Sequence, residues 1–495
     1  MIRTLADIAR DPKRSPLLAG GIILIAFGMY GMLFLSAHPS ALRLLSLSYM
    51  GVSVVVGAWL YISSPALYLG FIWWLWFLSP FVRRIIDYHL GSFTPPSAAF
   101  SLLAPYAATL VILIDLPRFG RVLTRRMGVP LLICFVAILY GYLVGMTKVD
   151  PFRATTVLLD WVCPLLMALF VLVRWRQYPR LRSVFRTTFM WGVALLGAYG
   201  LYQFFVAPPW DVLWMEGSRM ISLGKPEPFE IRVFSTLNSP GPFAMVLMSG
   251  LVLLFDGKGL IGRLAPIPGY LAFLVSLVRG AWGGWVLALS YSMLRLQNAS
   301  RGRVIAILVL VSAVTVPLIM SGEIGEQAGE RMETFSNLES DGSLQARQRM
   351  YTTIGIELLF SPIGEGLGAR TFDSDFVTIL YQLGWIGGGL YVLGLFLMMI
   401  PVIRDTPSSD RFAILVSGIA VAYFALMLMG PQVSEIKGCV FWSCMAFAVA
   451  ARRYHEEHAD DASGEDLDRG ADDLATNGSD AASPTASNRS LTPST

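Results

Sequence analysis

The sequence predicts an all-α integral membrane protein with about fourteen transmembrane helices. Hydrophobic residues make up 55% of the 495 residues, only 15% are charged, and the mean hydropathy is +0.59. These values exclude an ordinary soluble protein. Apolar runs close to the ~20 residues of a spanning helix lie near residues 16–36, 44–62, 65–81, 98–116, 128–146, 155–173, 187–207, 238–255, 264–278, 280–295, 303–320, 376–402, 412–430 and 436–451.

The arginines between these runs predict the orientation of the chain. Basic clusters lie within residues 3–14, 118–126, 174–186, 295–303 and 452–453, and all fall on one side if the chain crosses fourteen times. The positive-inside rule makes that side cytoplasmic. Both termini are therefore expected on the cytoplasmic side of a bacterial inner membrane. The first run is expected to remain as a span because no small-residue cleavage site follows it.

Three hydrophilic stretches complete the predicted organisation. Residues 1–453 form one polytopic membrane domain, with two large periplasmic loops at 208–237 and 321–371. Residues 454–495 are rich in Asp and Glu with almost no aliphatic side chains. Such a segment cannot bury enough apolar surface to fold, so a disordered cytoplasmic tail is expected.

Charged residues at membrane depth are candidates for function because their burial is costly. Arg279 is the strongest, since it lies between two apolar runs on the predicted outer face, where positive residues are rare. Gly280 and Ala281 would allow close approach of a ligand, and a planar guanidinium suits a pyrophosphate or carboxylate. The alternative is an arginine that extends to lipid phosphates.

Several motifs around Arg279 follow a known order. The segment 276–282, SLVRGAW, resembles the serine-arginine-glycine-alanine-tryptophan signature of the O-antigen ligase and Wzy-type polysaccharide polymerase superfamily. Residues 232–240 are similar to its upstream arginine and asparagine-proline stretch. Residues 343–351 and 361–392 resemble its downstream arginine, Pro-x-x-Gly-x-Gly turn and late leucine-glycine pair. The resemblance covers a core of about residues 230–400.

Two departures from the family pattern refine this resemblance. Ligases have a histidine eleven residues before the late glycine, here Gly384, whereas this chain has Asp373. A carboxylate at that position resembles the exopolysaccharide-polymerase branch of the superfamily more than its lipopolysaccharide ligases. Val278 stands directly before Arg279, and the nearest serine is Ser276.

The resemblance implies glycosyl transfer from an undecaprenyl-pyrophosphate-linked oligosaccharide to a sugar hydroxyl of another repeat. Arg279 is the first candidate to stabilise the leaving pyrophosphate, followed by Arg347 and Arg232. Asp373, or Asp375, is the candidate to take the acceptor proton. Both acids could instead be solvated, or could form an Asp-x-Asp metal site. No metal or other cofactor is expected, and a flippase and a chain-length regulator are the expected partners.

Three further residues are candidates for substrate binding. Asp160 lies about five residues inside the sixth predicted span, where an acid needs a partner or a water-filled cavity. Arg83 and Arg84 form the other basic pair on the predicted outer face. They could contact pyrophosphate or glycan, or anchor to phospholipid headgroups.

The leading functional hypothesis is therefore an inner-membrane polysaccharide polymerase, with an O-antigen ligase-type transferase as its close alternative. A lipid-linked oligosaccharide flippase or other carrier would place acids near the bilayer midplane and broken helices in two corresponding halves. A transferase that uses a monosaccharide-phosphate lipid would usually have acids in its first outer loop, and residues 37–43 contain none. No nucleic-acid partner is expected.

Overall fold

The computed structural model describes residues 39–95, 99–123, 127–257, 259–296, 301–302, 305 and 361–479. Within these ranges the regular secondary structure is entirely helical, apart from one isolated antiparallel bridge between Gly224 and Ile231. The predicted spans at 16–36 and, except for residue 305, at 303–320 lie outside the described residues, as does Arg347.

The helices follow the predicted apolar runs in order. They are α1 (Pro39–Ser63), α2 (Pro65–Leu90), α3 (Ala104–Leu110), α4 (Leu116–Leu123), α5 (Val129–Lys148), α6 (Pro151–Val173), α7 (Tyr178–Val206), α8 (Pro209–Ser218), α9 (Pro240–Leu253), α10 (Gly259–Leu264), α11 (Pro266–Val275), α12 (Arg279–Arg295), α13 (Asp375–Arg404), α14 (Arg411–Leu426) and α15 (Glu435–Ser479).

Among the described residues, seven helical segments are long and apolar enough to cross a membrane. They are Leu44–Ser63, Pro65–Leu90, Phe100–Gly120, Val129–Lys148, Pro151–Val173, Trp175–Val206 and Asp375–Arg404. Shorter apolar helices cover Pro240–Asp256, Gly259–Val275 and Arg411–Leu426. The chain is a multi-pass helical membrane protein.

One predicted span is irregular in the structure, and another ends close to its predicted boundary. The run near 98–116 contains α3 between the 3-10 segments Phe100–Leu103 and Val111–Asp115. The runs near 264–278 and 280–295 are separate helices, because α11 ends at Val275 and Leu277 adopts a left-handed conformation (φ +54°) before α12 begins. Apolar length alone gave no sign of the 3-10 segments in the first run.

One end of the helix bundle gathers arginines and their acidic partners. The pairs are Arg174 with Asp115 at 2.7 Å, Arg176 with Glu457 at 2.7 Å, Arg182 with Asp410 at 2.9 Å, and Arg186 with Asp256 at 2.8 Å. Arg452 also pairs with Asp405 here. The basic clusters at 174–186 and 452–453 therefore lie together, at what we call the arginine-rich end.

Asp410 joins three helices at the arginine-rich end. Its carboxylate accepts hydrogen bonds from Tyr178 at 2.8 Å and Arg182 at 2.9 Å, and lies 3.0 Å from a ring nitrogen of His455. Burial acts to raise the pKa of Asp410, but these bonds and the charge of Arg182 hold that pKa below its ordinary value. The ionised acid thus fixes α7 and α15 to the start of α14.

Helix α15 extends into the predicted acidic tail. The helix runs from Glu435 to Ser479, past residue 454, where the tail is predicted to begin. His455 contacts Asp410, and Glu457 bonds to Arg176, so the first turn of the predicted tail is bound to the bundle. These contacts come from residues far apart in the sequence, and composition could not reveal them.

Helix α13 is sharply kinked at Gly384. This residue has φ +66° and ψ −170°, a conformation that side-chain-bearing residues rarely adopt. The amides of Trp385 and Ile386 therefore do not bond back within the helix. They donate instead to the carbonyl of Pro362, at 3.0 and 3.4 Å.

The glycine turn, residues 361–368, completes the exchange of hydrogen bonds at this kink. Its Glu365 and Gly366 amides donate, each at 2.8 Å, to the carbonyls of Tyr381 and Gln382 that the kink leaves without helical partners. The carbonyls of Tyr381 and Gln382 and the amides of Trp385 and Ile386 thus have partners outside the helix, as membrane depth requires. Two of the motifs that carry the family resemblance therefore pack directly against each other.

We expect Gly384→Ala to lower sharply the yield of folded protein. A Cβ at this position would overlap the carbonyl of Pro362 and the backbone of Ile363, and the left-handed φ adds strain. Gly389→Ala is the matched control, since a Cβ there has no atom of the described chain within 4 Å. Equal monodisperse yields of the two variants in detergent would contradict the packing described.

Candidate functional site

Residues 208–237, which we call the cap segment, form a compact unit at the end of the bundle opposite the arginine-rich end. Helix α8 is followed by a 3-10 turn at Ile221–Leu223 and a tight reversal closed by Lys225 and Glu230. The segment encloses its own apolar cluster of Trp214, Met215, Leu223, Ile231 and Phe234. The predicted outer loop is thus an ordered structure.

A buried ion pair attaches the cap segment to α2. Arg84 is fully buried, donates to the carboxylate of Asp211, and reaches the carbonyl of Ser235 at 2.6 Å. Tyr199 and Gln203 also donate to Asp211, at 2.8 and 2.7 Å. Burial raises the pKa of Asp211, while Arg84 and the two neutral donors act in the opposite direction.

Arg83 is held in the same region by aromatic rings. Its guanidinium lies 5.0 Å from the ring centre of Phe93 and 4.6 Å from that of Trp214, and it donates to the carbonyl of Thr94. Asp87 lies 3.5 Å away. Both predicted roles for the basic pair required accessible guanidiniums, but Arg83 and Arg84 are inside the protein. They position the cap segment instead.

We expect Asp211→Asn to destabilise the protein by about 3–5 kcal/mol, because it leaves the buried charge of Arg84 without its counter-ion. Thermal denaturation in detergent measures the loss. The matched control is Glu230→Gln, which breaks the exposed pair with Lys225 and should change the midpoint little. A variant Asp211→Asn as stable as the control would show that Arg84 does not depend on this acid.

The cap segment brings Arg232 to the turn that precedes Arg279. Arg232 Nη2 donates to the carbonyl of Leu277 at 3.1 Å, and the Val233 amide lies 3.4 Å from the carbonyl of Val275. Arg279 is half-buried and begins α12, whose exposed amides carry partial positive charge. The side chain of Arg232 thus lies against the turn that leads into Arg279 and α12.

The end of α14 lies between Arg279 and the predicted acids. A Cβ on Gly280 would lie 4.0 Å from Leu426, so the first turn of α12 faces the last turn of α14. The next residue, Met427, accepts a 2.8 Å bond from the amide of Asp375. The structure therefore places the Arg279 and Asp375 segments on neighbouring elements at the same end of the bundle.

Asp373 and Asp375 have different environments. Asp375 is only 1% exposed, and its Oδ2 accepts a 2.6 Å bond from the amide of Gln432. Asp373 is exposed at the mouth of α13. Asp375 therefore fixes the loop before α15, and Asp373 is the acid that a substrate can reach.

The structure adds two charged residues that the sequence analysis passed over. Lys437 is 8% exposed and interacts electrostatically with Glu435, Asp373 and Asp375. Glu435 has a left-handed backbone (φ +54°) and begins α15. The signal was present in the sequence, because an acid and a lysine stand at the outer end of the apolar run at 436–451.

Asp160, predicted as a lone intramembrane acid, has a partner and a cavity. Its Oδ1 accepts a 2.5 Å bond from the hydroxyl of Tyr106. The cavity beside it, of about 630 Å³, is also lined by Glu435 and Asn238. Both conditions expected for an acid at this depth are therefore met.

A metal site is a poor fit to the part of the chain that the structure describes. In those ranges no group of three or more His, Cys, Asp and Glu side chains could hold an ion. In Asp373-Ser374-Asp375 one carboxylate is exposed and the other is bonded to a backbone amide. The two acids therefore do not form a shared open site.

Comparison with known protein families, with curated proteins and with solved structures finds no match to this chain. The resemblance of residues 230–400 to the ligase and polymerase superfamily therefore rests on its motifs alone. The geometry around Arg279 is the independent basis for a functional proposal.

Proposed function

We propose that this protein is a polysaccharide polymerase of a bacterial inner membrane. It joins polyprenyl-pyrophosphate-linked oligosaccharide repeats by glycosyl transfer on the periplasmic face, without a metal cofactor. The observation that supports this most is the hydrogen bond from Arg232 to the carbonyl of Leu277, two residues before Arg279 and the N-terminus of α12. Arginines close to the positive end of a helix suit a pyrophosphate leaving group.

The acceptor side of the proposed reaction uses Asp373. It is exposed, stands before the kinked helix α13, and belongs to the elements that adjoin the end of α14. A carboxylate within hydrogen-bond reach of a sugar hydroxyl can accept its proton as the glycosidic bond forms. The proton leaves the acceptor oxygen, the bond to the donor sugar's anomeric carbon forms, and polyprenyl pyrophosphate departs.

The proposed orientation puts the arginine-rich end in the cytoplasm and the cap segment in the periplasm, within a chain of fourteen spans. A reporter fused after residue 340 should then read periplasmic, and one fused after residue 465 cytoplasmic. Alkaline phosphatase and green fluorescent protein fusions measure the two sides. Identical readings from both positions would refute the count of fourteen.

The proposed function is tested with purified full-length protein in proteoliposomes that contain lipid-linked repeats from the producing cells. A polymerase converts them to a ladder of longer lipid-linked chains. A single transfer to a lipid A core acceptor, without a ladder, would identify a ligase. Movement of intact repeats across the bilayer without new glycosidic bonds would identify a flippase, and either result would overturn the proposal.

A further inference from the structure

The 630 Å³ cavity beside Asp160 has a lining of mixed chemistry. It lies between α2, α6, the 3-10 segment before α3, and the first turn of α15. Its aromatic side chains are Trp76, Tyr106 and Phe152. Its polar side chains are Ser79, Arg153, Thr155, Thr156, Asp160, Asn238 and Glu435. The rings of Trp76 and Tyr106 pack edge to face, with their centres 4.7 Å apart, and together they form one side of the cavity.

The part of the cavity wall formed by Asp160 and Asn238 presents hydrogen-bond acceptors. Asp160 accepts one hydrogen bond from Tyr106 within the described residues, and a carboxylate can accept several more. Asn238 Oδ1 is buried and has no hydrogen-bond partner among the residues described. A buried acceptor without a donor is costly, so a ligand that brings donors would satisfy this wall.

We infer that this cavity binds a sugar residue of the acceptor oligosaccharide. Sugar hydroxyls supply the donors that Asp160, Glu435 and Asn238 lack, and the C–H face of a pyranose ring packs against aromatic side chains. The volume lies within the range of small-molecule sites. This inference rests on the proposed polymerase function, which supplies the glycan.

The same lining argues against the other two parts of the substrate. A pyrophosphate in this cavity would lie beside the two carboxylates of Asp160 and Glu435, and Arg153 is the one cation among the described lining residues, so the net charge opposes its binding. An isoprenoid chain has no donors, so it would leave Asn238 Oδ1 buried and unsatisfied. The cavity therefore suits the sugar, whereas the helix N-terminus at Arg279 suits the pyrophosphate.

The start of α15 connects this cavity to the reacting acid. Glu435 lines the cavity, and Lys437, two residues further on, interacts electrostatically with Glu435, Asp373 and Asp375. Gln432, three residues before Glu435, donates its amide to Asp375 at 2.6 Å, so the loop before α15 joins the cavity to the mouth of α13.

The test uses the full-length protein in nanodiscs and three probes. The first is the free oligosaccharide released by mild acid from the lipid-linked pool of cells that lack this protein. The second is geranylgeraniol, as a free isoprenoid, and the third is inorganic pyrophosphate. Saturation-transfer NMR measures the binding of each to the wild type and to variants.

We expect the oligosaccharide to bind the wild type and to bind Asp160→Asn and Glu435→Gln about 10–100-fold more weakly, because each loses a charged acceptor. In Asp160→Asn the side-chain amide oxygen can still accept from Tyr106, so the cavity should keep its shape. The control Glu227→Gln removes an exposed acid of the cap segment and should leave binding unchanged. Pyrophosphate and geranylgeraniol should not displace the oligosaccharide.

Oligosaccharide binding that is absent, or equal in the wild type and Asp160→Asn, would overturn the inference, as would displacement by geranylgeraniol. Such a result leaves the proposed function standing if the proteoliposomes still form a ladder. Failure of the proposed function has a different signature, since the proteoliposomes would then form no ladder whether or not the oligosaccharide binds.

Discussion

Replacement of Arg279 by lysine should reduce polymer formation by about 10²–10³-fold, while folded protein still accumulates in the membrane. Lysine keeps the positive charge but loses the planar fork that can hold two phosphate oxygens at once. The half-buried position at the start of α12 gives a flexible ammonium no equivalent geometry. The length distribution of lipid-linked chains in proteoliposomes measures the effect.

The control for this variant is Arg219→Lys. Arg219 is an exposed arginine of the cap segment that takes no part in the proposed site, so its replacement should leave the ladder intact. The decisive second variant is Arg279→Ala. If that protein folds and forms polymer at the normal rate, Arg279 is an anchor to lipid phosphates and the proposed pyrophosphate role is lost.

The second large effect is expected at Asp373. Asp373→Asn is nearly isosteric but cannot accept a proton, so turnover should fall by about 10²–10⁴-fold without loss of donor binding. Because Asp373 is exposed, its replacement should not disturb folding, so a folding defect would not explain such a loss of turnover. Single-turnover transfer from a labelled lipid-linked donor separates the chemical step from binding.

Asp375→Asn provides the internal comparison. An amide oxygen at this position can still accept from Gln432, so the loop before α15 should stay in place. We expect a milder loss of turnover than in Asp373→Asn, with any defect appearing in the yield of folded protein. Should a chelator stop the reaction and both variants fail equally, a shared metal site would replace the proposed base.

Much of the architecture was predictable because apolar length and arginine distribution are local properties of the chain. The clusters at 174–186 and 452–453 do lie at one end of the bundle, as the positive-inside rule required. The 3-10 segments on both sides of α3 were less accessible, because the apolar run near 98–116 continues through them. Apolar runs report burial, and they do not report which helical geometry the backbone adopts.

The roles of the site residues were harder to predict from the sequence than the fold was. Arg279, Arg232 and Asp375 could be found because charges are rare in apolar sequence, and the structure brings their segments to one end. The role of Arg84 could not be deduced, since its partner Asp211 is 127 residues away in the chain. Whether a lone cation meets ligand, lipid or a buried acid depends on tertiary contacts that no single motif encodes.

The pairing of the glycine turn with the kink at Gly384 has a consequence for protein engineering. The carbonyls of Tyr381 and Gln382 receive their donors from Glu365 and Gly366, so neither element is complete without the other. A chimera that exchanges only residues 361–368, or only α13, would leave backbone groups unsatisfied at membrane depth. The Leu367 amide also donates to the carbonyl of Gly141 on α5 at 2.9 Å, so the smallest unit that can be transplanted between such proteins includes α5 as well as Ser361 to the end of α13.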